Sequence, residues 1–210
     1  MREITFKIEE KQDGLMIRDF LRNFGVSSAL LTKLKRDENG ISLNGEFAKA
    51  IAVLHAGDVL KIRIKNKGKM PEKFICDKVK VAYDDEDILV LNKPPLMPVH
   101  ESRNHRGDTL ANVAACYMES DCAFRAVYRL DRDTSGLVLI AKNELAASKL
   151  AGKIKKDYYA IVKGKFEGDG TIDLPIRRVR EALLSVAFLT TAKERLPTTR
   201  RLRPTVKARF

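Results

Sequence analysis

Residues 128–136, Tyr-Arg-Leu-Asp-Arg-Asp-Thr-Ser-Gly, are the stretch of sequence that decides the fold. This polar segment lies between two apolar runs, with Phe124, Ala126 and Val127 before it and residues 137–140 after it. A short apolar run bounded by turn signals predicts a buried strand. We therefore expect a turn that is held by packed structure on both sides.

The turn places the carboxylate of Asp131 between the guanidinium groups of Arg129 and Arg132. Neighbouring positive charge keeps a carboxylate ionised, and a carboxylate on a rigid scaffold can act as a nucleophile or a base. On spacing alone, however, the pattern favours a charged surface turn with an ion pair, since short motifs often match by chance.

Two further stretches change that balance. Residues 87–95 are DILVLNKPP, residues 128–143 are YRLDRDTSGLVLIAKN, and residues 156–164 are KDYYAIVKG. All three resemble motifs of the RluA-type pseudouridine synthases, in the family's order, with Tyr128 in place of the usual His. Three ordered matches are far more specific than one, and the chain is identified as a member of this family.

The resemblance implies a reaction on RNA. The N-glycosidic bond of a uridine breaks, the base rotates, and its carbon 5 joins the ribose to give pseudouridine. Asp131 is the implied catalytic carboxylate, and the implied substrate contacts are Arg129, Thr134, Ser135 and Tyr158, with Tyr158 against the uracil ring. The target base must leave its stack. The implied partner is ribosomal or transfer RNA, bound by a monomer that needs no cofactor and no metal.

Residues 1–65 are predicted to form a small domain of their own. Ile17–Phe24 has the apolar spacing of a short helix and is followed by a glycine. A second helix, capped by Ser27 or Ser28, and a hairpin that turns at Asn44-Gly45 are expected after it. This order resembles the alpha-L RNA-binding domain.

In that resemblance the second helix faces RNA. Lys33, Lys35 and Arg36 lie on its polar side and are implied to contact phosphates, which position the RNA without reading its sequence. Without the resemblance, a solvated helix face is the preferred interpretation.

The middle of the chain begins with residues 66–73, which have the composition of a linker, and 74–181 is the expected catalytic domain. Val79, Val81 and Tyr83 alternate as a half-buried strand. A helix is predicted from Glu144 to about Lys156, with Gly152 inside it, and a strand of alternating Tyr159, Ile161 and Lys163 after that helix.

The loop 93–107 is long for a compact domain, and such loops are commonly functional. We expect Lys93, Arg103 and Arg106 to contact RNA there, with His100 and His105 beside them. Simple exposure to solvent is the alternative.

Residues 182–210 contain seven basic residues, one acidic residue and no glycine. Past Glu181 the chain no longer resembles the family. We therefore expect an incomplete catalytic domain and an atypical tail translated out of frame. The test is whether the gene, read with a shift of one or two bases, encodes the family's next motif, which resembles G-R-T-H-Q-I-R. A genuine basic extension that folds on RNA is the alternative.

These elements predict an α+β protein. Its small N-terminal alpha-L RNA-binding domain is followed by an incomplete pseudouridine synthase domain with a mixed, largely antiparallel sheet. The net charge of +12 favours a polyanionic partner. No run reaches the roughly 18 apolar residues of a membrane span, the N-terminus does not resemble a signal peptide, and three cysteines without paired spacing argue against zinc. A cytoplasmic location is expected.

Two other functions remain open. A catalytically impaired, truncated homologue would act only as an RNA-binding protein through 1–65 and the basic tail. A hydrolase or nuclease built on Asp131 and Asp133 would need a metal held by several acids, and nothing in the sequence completes that set.

Overall fold

The structure is a computed structural model that describes residues 1–119 and 122–160 and, beyond them, the backbone of five short strands. The chain divides into two compact units, Met1–Ile154 and Lys155–Phe210. The described residues form helices and antiparallel sheets joined by loops. This architecture agrees with the predicted α+β class. The domain boundaries at 65, 73 and 181 stay predictions.

The N-terminal part of Met1–Ile154 is a four-stranded antiparallel sheet packed on two helices. Buried apolar side chains from the sheet and from both helices form one core. The strands are β1 (Arg2–Lys7), β2 (Ile41–Leu43), β3 (Glu46–Phe47) and β4 (Val59–Ile64) in the order β1-β4-β2-β3, and the helices are α1 (Ile17–Phe24) and α2 (Ser28–Arg36).

Local sequence signals explain these elements. Helix α1 has the predicted bounds, and the left-handed Gly25 follows it. Ser27, the first of the two predicted caps, accepts a hydrogen bond from the backbone nitrogen of Leu30. Asn44 and Gly45 both have positive φ and form the two-residue turn between β2 and β3. The predicted helices and hairpin are confirmed.

The rest of Met1–Ile154 has its own core beneath a three-stranded antiparallel sheet. Its elements are β5 (Lys80–Asp84), β6 (Ile88–Lys93), α3 (Leu110–Ala114), β7 (Gly136–Ala141) and α4 (Glu144–Leu150), with the strand order β5-β6-β7.

Three expectations about this part are wrong. Strand β5 is not half-buried, because among the described strands it pairs with β6 alone and leaves Val81 40% and Tyr83 51% exposed. Helix α4 ends at Leu150, and Gly152 lies beyond it with a φ of 72° instead of inside it. The apolar run before the 128–136 segment is not a strand, since only Ala126 pairs with β7, in an isolated bridge.

Helix α4 ties the two parts of Met1–Ile154 together. Its Leu145 belongs to the N-terminal core. The Ser148 hydroxyl donates to the carbonyl oxygen of Gly25 over 3.0 Å, and the Lys149 ammonium lies 3.4 Å from the ring centroid of Phe24. The helix that follows β7 is therefore packed on α1.

Beyond residue 160 only strand backbones are described. They are β8 (Gly170–Thr171), β9 (Pro175–Arg178), β10 (Val186–Phe188), β11 (Arg200–Arg201) and β12 (Thr205–Val206), paired antiparallel in the orders β10-β9-β11 and β12-β8. Tyr159 is outside any strand, while Ile161, Lys163 and most of the tail lie outside the described residues. No helix in the described part of the chain is long and apolar enough to cross a membrane.

Candidate active site

The segment 128–136, which we name the motif loop, is held at both ends by strand β7. The Tyr128 hydroxyl donates to the carbonyl oxygen of Leu137 over 2.9 Å, and the backbone nitrogen of Val127 donates to that of Leu139 over 2.9 Å. Gly136 begins the strand with a φ of 130°, a conformation that a side chain disfavours. The motif loop is therefore supported on both sides, as expected. Only the side after the loop is a strand, β7.

Inside the motif loop, the chain makes a tight turn around Asp131. The backbone nitrogen of Thr134 donates to the carbonyl oxygen of Asp131 over 3.2 Å. Leu130, the preceding residue, packs against the second core. The residue before Asp131 thus anchors the loop, and the Asp131 side chain is exposed.

Lys93, at the end of β6, lies behind this loop and is fully buried. Its ammonium donates to the carbonyl oxygens of Pro94 (3.0 Å), Met97 (2.8 Å) and Arg132 (3.0 Å). A fully buried ammonium has no surface to offer to a phosphate. The structure therefore contradicts the predicted RNA contact of Lys93 and shows a backbone anchor instead.

The environment of Lys93 disfavours its charge. Burial lowers the pKa of the ammonium, while the carboxylates of Asp133 and Asp131 act in the opposite direction. The three carbonyl acceptors supply the hydrogen bonds that a buried donor requires. A cation is therefore held just beneath the carboxylates of the loop.

The arginines do not bracket Asp131 as expected. Arg132 pairs with Asp133, with 3.0 Å between Nε and Oδ1. Within the described part of the chain, no hydrogen bond or ion pair engages the carboxylate of Asp131 or the guanidinium of Arg129, and both side chains are exposed. The predicted charge pairing belongs to Asp133.

Arg129 lies close enough to His100 to act on it electrostatically. The His100 ring packs edge-on against Phe124, with 5.2 Å between centroids. Loss of water around the ring, and secondly the positive charge of Arg129, lower the pKa of His100. The loop 93–107 therefore reaches the motif loop through a histidine that is neutral at neutral pH.

Two of the other predicted substrate contacts share the motif loop. Thr134 is half-buried and Ser135 exposed, both on the motif loop. Tyr158 is 53% exposed and belongs to the second compact unit. Its role stays a prediction.

Arg103 and Arg106 project from a braced turn in the loop 93–107. Ser102 and His105 exchange two backbone hydrogen bonds, of 2.9 and 3.3 Å, so Arg103 lies at the tip. Glu101 braces the base of the turn by accepting from the Asn112 side chain over 3.1 Å. Both arginines are exposed, and neither makes an ion pair with any described residue.

The three cations of α2 are exposed as predicted, but they are not equivalent. Lys33 pairs with Glu144 at 2.6 Å. Lys35 and Arg36 make no ion pair in the described part of the chain. Only the last two face solvent without a counter-charge.

Sequence reasoning missed the polar network behind Lys33. Glu144 also accepts from Arg125 over 3.3 Å, and Arg125 donates to the side chain of Asn66. These residues lie far apart in sequence, and no local signal joins them. Lys93 did carry a signal, because it continues the buried alternation of Leu89 and Leu91 along β6.

No group of three or more His, Cys, Asp or Glu side chains suited to a metal occurs among the described residues. What the motif loop does offer is an exposed carboxylate, that of Asp131, which makes no ion pair with a described residue and stands on a backbone fixed from below and from both ends. Such a carboxylate can attack or deprotonate a sugar presented from solvent.

Comparison with known proteins gives a family. The family model described as RNA pseudouridylate synthase matches residues 87–207, more than half of the chain. This range includes the motif loop and also most of the basic tail, whose out-of-frame origin stays a prediction.

Individual relatives agree. The chain is 31% identical to the uncharacterized RNA pseudouridine synthase YjbO of Bacillus subtilis, over 81% of this chain and 64% of that protein. It is 34% identical to ribosomal large subunit pseudouridine synthase D of Pseudomonas aeruginosa, over 66% and 46%. The chain thus spans just under two thirds of the first relative and less than half of the second.

Proposed function

The chain belongs to the RNA pseudouridylate synthase family, and we propose that it converts uridine to pseudouridine in RNA with Asp131 as the catalytic carboxylate. Asp131 attacks the ribose of the target uridine or removes a proton from it, and the bond between N1 and the anomeric carbon breaks. The base then turns, and carbon 5 bonds to the anomeric carbon while Asp131 either leaves the ribose or returns its proton. The carbon 5 proton is lost, and N1 gains one. A nearby anion stabilises the oxocarbenium-like character at the anomeric carbon, as in glycosidases.

The observation that carries this proposal is the pairing within the motif loop. Arg132 pairs with Asp133 at 3.0 Å, while the carboxylate of Asp131, two residues away, is exposed and makes no hydrogen bond or ion pair with a described residue. If the turn served only to hold the ion pair between Arg132 and Asp133, a fixed backbone at Asp131 would have no use. Lys93 fixes that backbone through the carbonyl of Arg132.

The remaining roles are part of the proposal. Arg129 fills the space that the flipped base leaves or pairs with Asp131, and Tyr158 stacks on the uracil ring. Thr134 and Ser135 line the substrate side of the loop. The RNA contacts are proposed for the exposed cations Lys35, Arg36, Arg103 and Arg106, with Lys33 available when it leaves Glu144.

The proposed substrate class is ribosomal RNA, because the Pseudomonas relative is named as acting on the large ribosomal subunit. Transfer RNA is the alternative. An N-terminal alpha-L RNA-binding domain, a monomeric state and a cytoplasmic location belong to the same proposal.

The test is release of tritium from unmodified cellular RNA labelled at carbon 5 of uridine. We expect Asp131→Ala to abolish release and to leave RNA affinity nearly unchanged. Asp133→Ala is the matched control, since it removes a carboxylate of the same loop that Arg132 already neutralises, and it should keep most of the activity. Equal release from the wild type and Asp131→Ala would refute the role of Asp131.

The second candidate, an RNA-binding protein without catalysis, rests on Lys35 and Arg36, which are exposed and make no ion pair with a described residue. It predicts strongly salt-dependent binding and no tritium release from the wild type. The same two measurements therefore separate the candidates.

A further inference from the structure

The N-terminal sheet has two faces, and only one is covered. Along β4, Leu60, Ile62 and Ile64 are buried in the core, whereas Val59, Lys61 and Arg63 alternate with them on the opposite side. The strand register places the outward residues of the other strands on the same side. We name this side the outer sheet face: Glu3, Thr5 and Lys7 of β1, Ser42 of β2, Phe47 of β3, and Val59, Lys61 and Arg63 of β4.

The outer sheet face presents an aromatic ring to solvent. Phe47 is 56% exposed, although it belongs to a strand of only two residues at the sheet edge. It makes no ring contact with any described aromatic residue. Val59, which is 41% exposed, lines the same groove as Phe47, so the ring belongs to a small apolar area on this face.

Cations lie beside that ring in a defined row. Phe47 pairs with Ser42, Ser42 pairs with Lys61, and Lys61 pairs with Thr5 across the sheet. Because neighbouring strands are about 4.8 Å apart, the backbones of Phe47 and Lys61 are roughly 10 Å apart. Arg63 follows in the next row, opposite Glu3.

Glu3 organises two of these cations without neutralising the face. Its carboxylate lies 3.0 Å from Lys61 Nζ and 3.0 Å from Arg63 Nη2. Their hydrogen bonds lower the pKa of Glu3. Lys7 makes no ion pair with a described residue, so the face carries three positive charges against one negative charge.

A groove crosses this face and has polar groups along its floor. Its volume is about 540 Å³, and it is lined by Asn39, Ser42, Phe47, Lys61 and Arg63, with one carboxylate, Glu38, at the same groove. Aromatic rings that stack bases, beside cations that hold phosphates, are the combination that binds single-stranded RNA on open sheets.

We propose that the outer sheet face binds single-stranded RNA, with one base stacked on Phe47 and the backbone held by Lys61 and Arg63. The proposal rests on the proposed function in one respect, namely that the partner is RNA. Helix α2 packs on the inner face of the same sheet through Leu30, Leu31 and Leu34. The outer sheet face is therefore the side of the sheet opposite to α2, and its Arg63 also lines a groove that it shares with Arg36.

The test compares binding of a fluorescent single-stranded RNA oligonucleotide to the purified chain and its variants. Stacking supports an affinity loss of roughly five-fold or more for Phe47→Ala, while Phe47→Tyr should bind like the wild type. Ile51→Ala is the matched control, because Ile51 is 63% exposed and lies outside the outer sheet face. It should leave the affinity unchanged.

Two charge variants sharpen the result. Lys61→Gln should reduce the slope of log K against log salt concentration by about 0.7, the value for one phosphate contact on a single strand. Glu3→Gln removes the carboxylate that pairs with Lys61 and Arg63 and should increase affinity. Unchanged RNA affinity in Phe47→Ala overturns the proposal, and loss of self-association in that variant instead would identify a second copy of the chain as the partner.

These outcomes are independent of catalysis. Binding that depends on Phe47, without tritium release by the wild type, supports the outer sheet face and refutes the proposed function. Tritium release by the wild type, with RNA binding that does not depend on Phe47, supports the proposed function and refutes the outer sheet face as an RNA-binding surface.

Discussion

The ammonium nitrogen of Lys93 lies 3.0 Å from the carbonyl oxygen of Arg132, the residue that follows Asp131. This hydrogen bond joins the buried end of β6 to the middle of the motif loop. The loop is held by its backbone, so the carboxylate of Asp131 is left for solvent and substrate. Positional precision of this kind is what a catalytic group requires.

Replacement of Lys93 by Met should lower turnover more than RNA affinity, because three carbonyl oxygens lose their donor and the loop loses its anchor. The free energy of unfolding should fall by about 1–3 kcal/mol, the cost of leaving buried acceptors unpaired. Urea denaturation and tritium release measure the two effects. Lys80→Met, on the exposed strand β5, is the control and should change neither. Wild-type turnover in Lys93→Met would exclude the anchoring role.

Removal of the Tyr128 hydroxyl tests the support at the other end of the loop. In Tyr128→Phe the carbonyl of Leu137 loses its hydrogen bond, although the ring stays in place. We expect a stability loss of about 1 kcal/mol and a reduced kcat with little change in KM. A KM increase at constant kcat would indicate instead that Tyr128 contacts the RNA.

Secondary-structure elements were predictable from the sequence where the residues that determine them are close together in the chain. The stripe of Ile17–Phe24 and the turn Asn44-Gly45 involve residues within a few positions of one another, and both elements have the predicted form. Val81 and Tyr83 show the limit, because alternation requires a covered face and β5 is the exposed edge of the sheet that the described strands form. Periodicity does not reveal which strand lies at an edge.

The candidate site was predictable only in part for the same reason. Asp131 could be selected from its turn and from family resemblance, but its pairing could not, since Arg132 is equally adjacent to Asp131 and Asp133 in sequence. Lys93 was misassigned because its charge outweighed its place in the buried alternation of β6. Glu144 and Arg125 meet only through tertiary packing.

His100 should make the protein less stable in acid. Its folded pKa is lowered by partial burial and then by Arg129, so the unfolded chain binds its proton more readily. The contribution of His100 to stability is therefore fully present above about pH 6.5, the ordinary histidine pKa, and it is lost as the pH falls through the folded pKa.

The measurement for His100 is the urea midpoint at pH 5 and pH 7.5. In His100→Gln the difference between the two midpoints should be smaller than in the wild type. Arg129→Gln removes the second cause of the pKa shift and should give a smaller change in the same direction. An identical pH dependence in the wild type and His100→Gln would show that His100 does not titrate with folding.

Glu144 should have opposite effects on stability and on RNA binding. It accepts from Lys33 over 2.6 Å and from the largely buried Arg125 over 3.3 Å. Glu144→Gln should lower the free energy of unfolding by about 1.5–3 kcal/mol, the range for hydrogen bonds to charged groups. It also frees Lys33, which adds a cation to the α2 surface beside Lys35. RNA affinity at low salt should therefore rise, and the salt slope should steepen.

Asp19→Asn is the control for Glu144→Gln, because Asp19 forms exposed ion pairs with Arg18 and Arg22 on α1. Pairs of that kind contribute at most about 1 kcal/mol, and RNA affinity should not depend on the ones at Asp19. A fall in RNA affinity in Glu144→Gln, with the fold intact by circular dichroism, would place the RNA contact elsewhere than on the Lys33 side of α2. A rise in affinity without loss of stability would mean that Arg125 finds sufficient support from Asn66 alone.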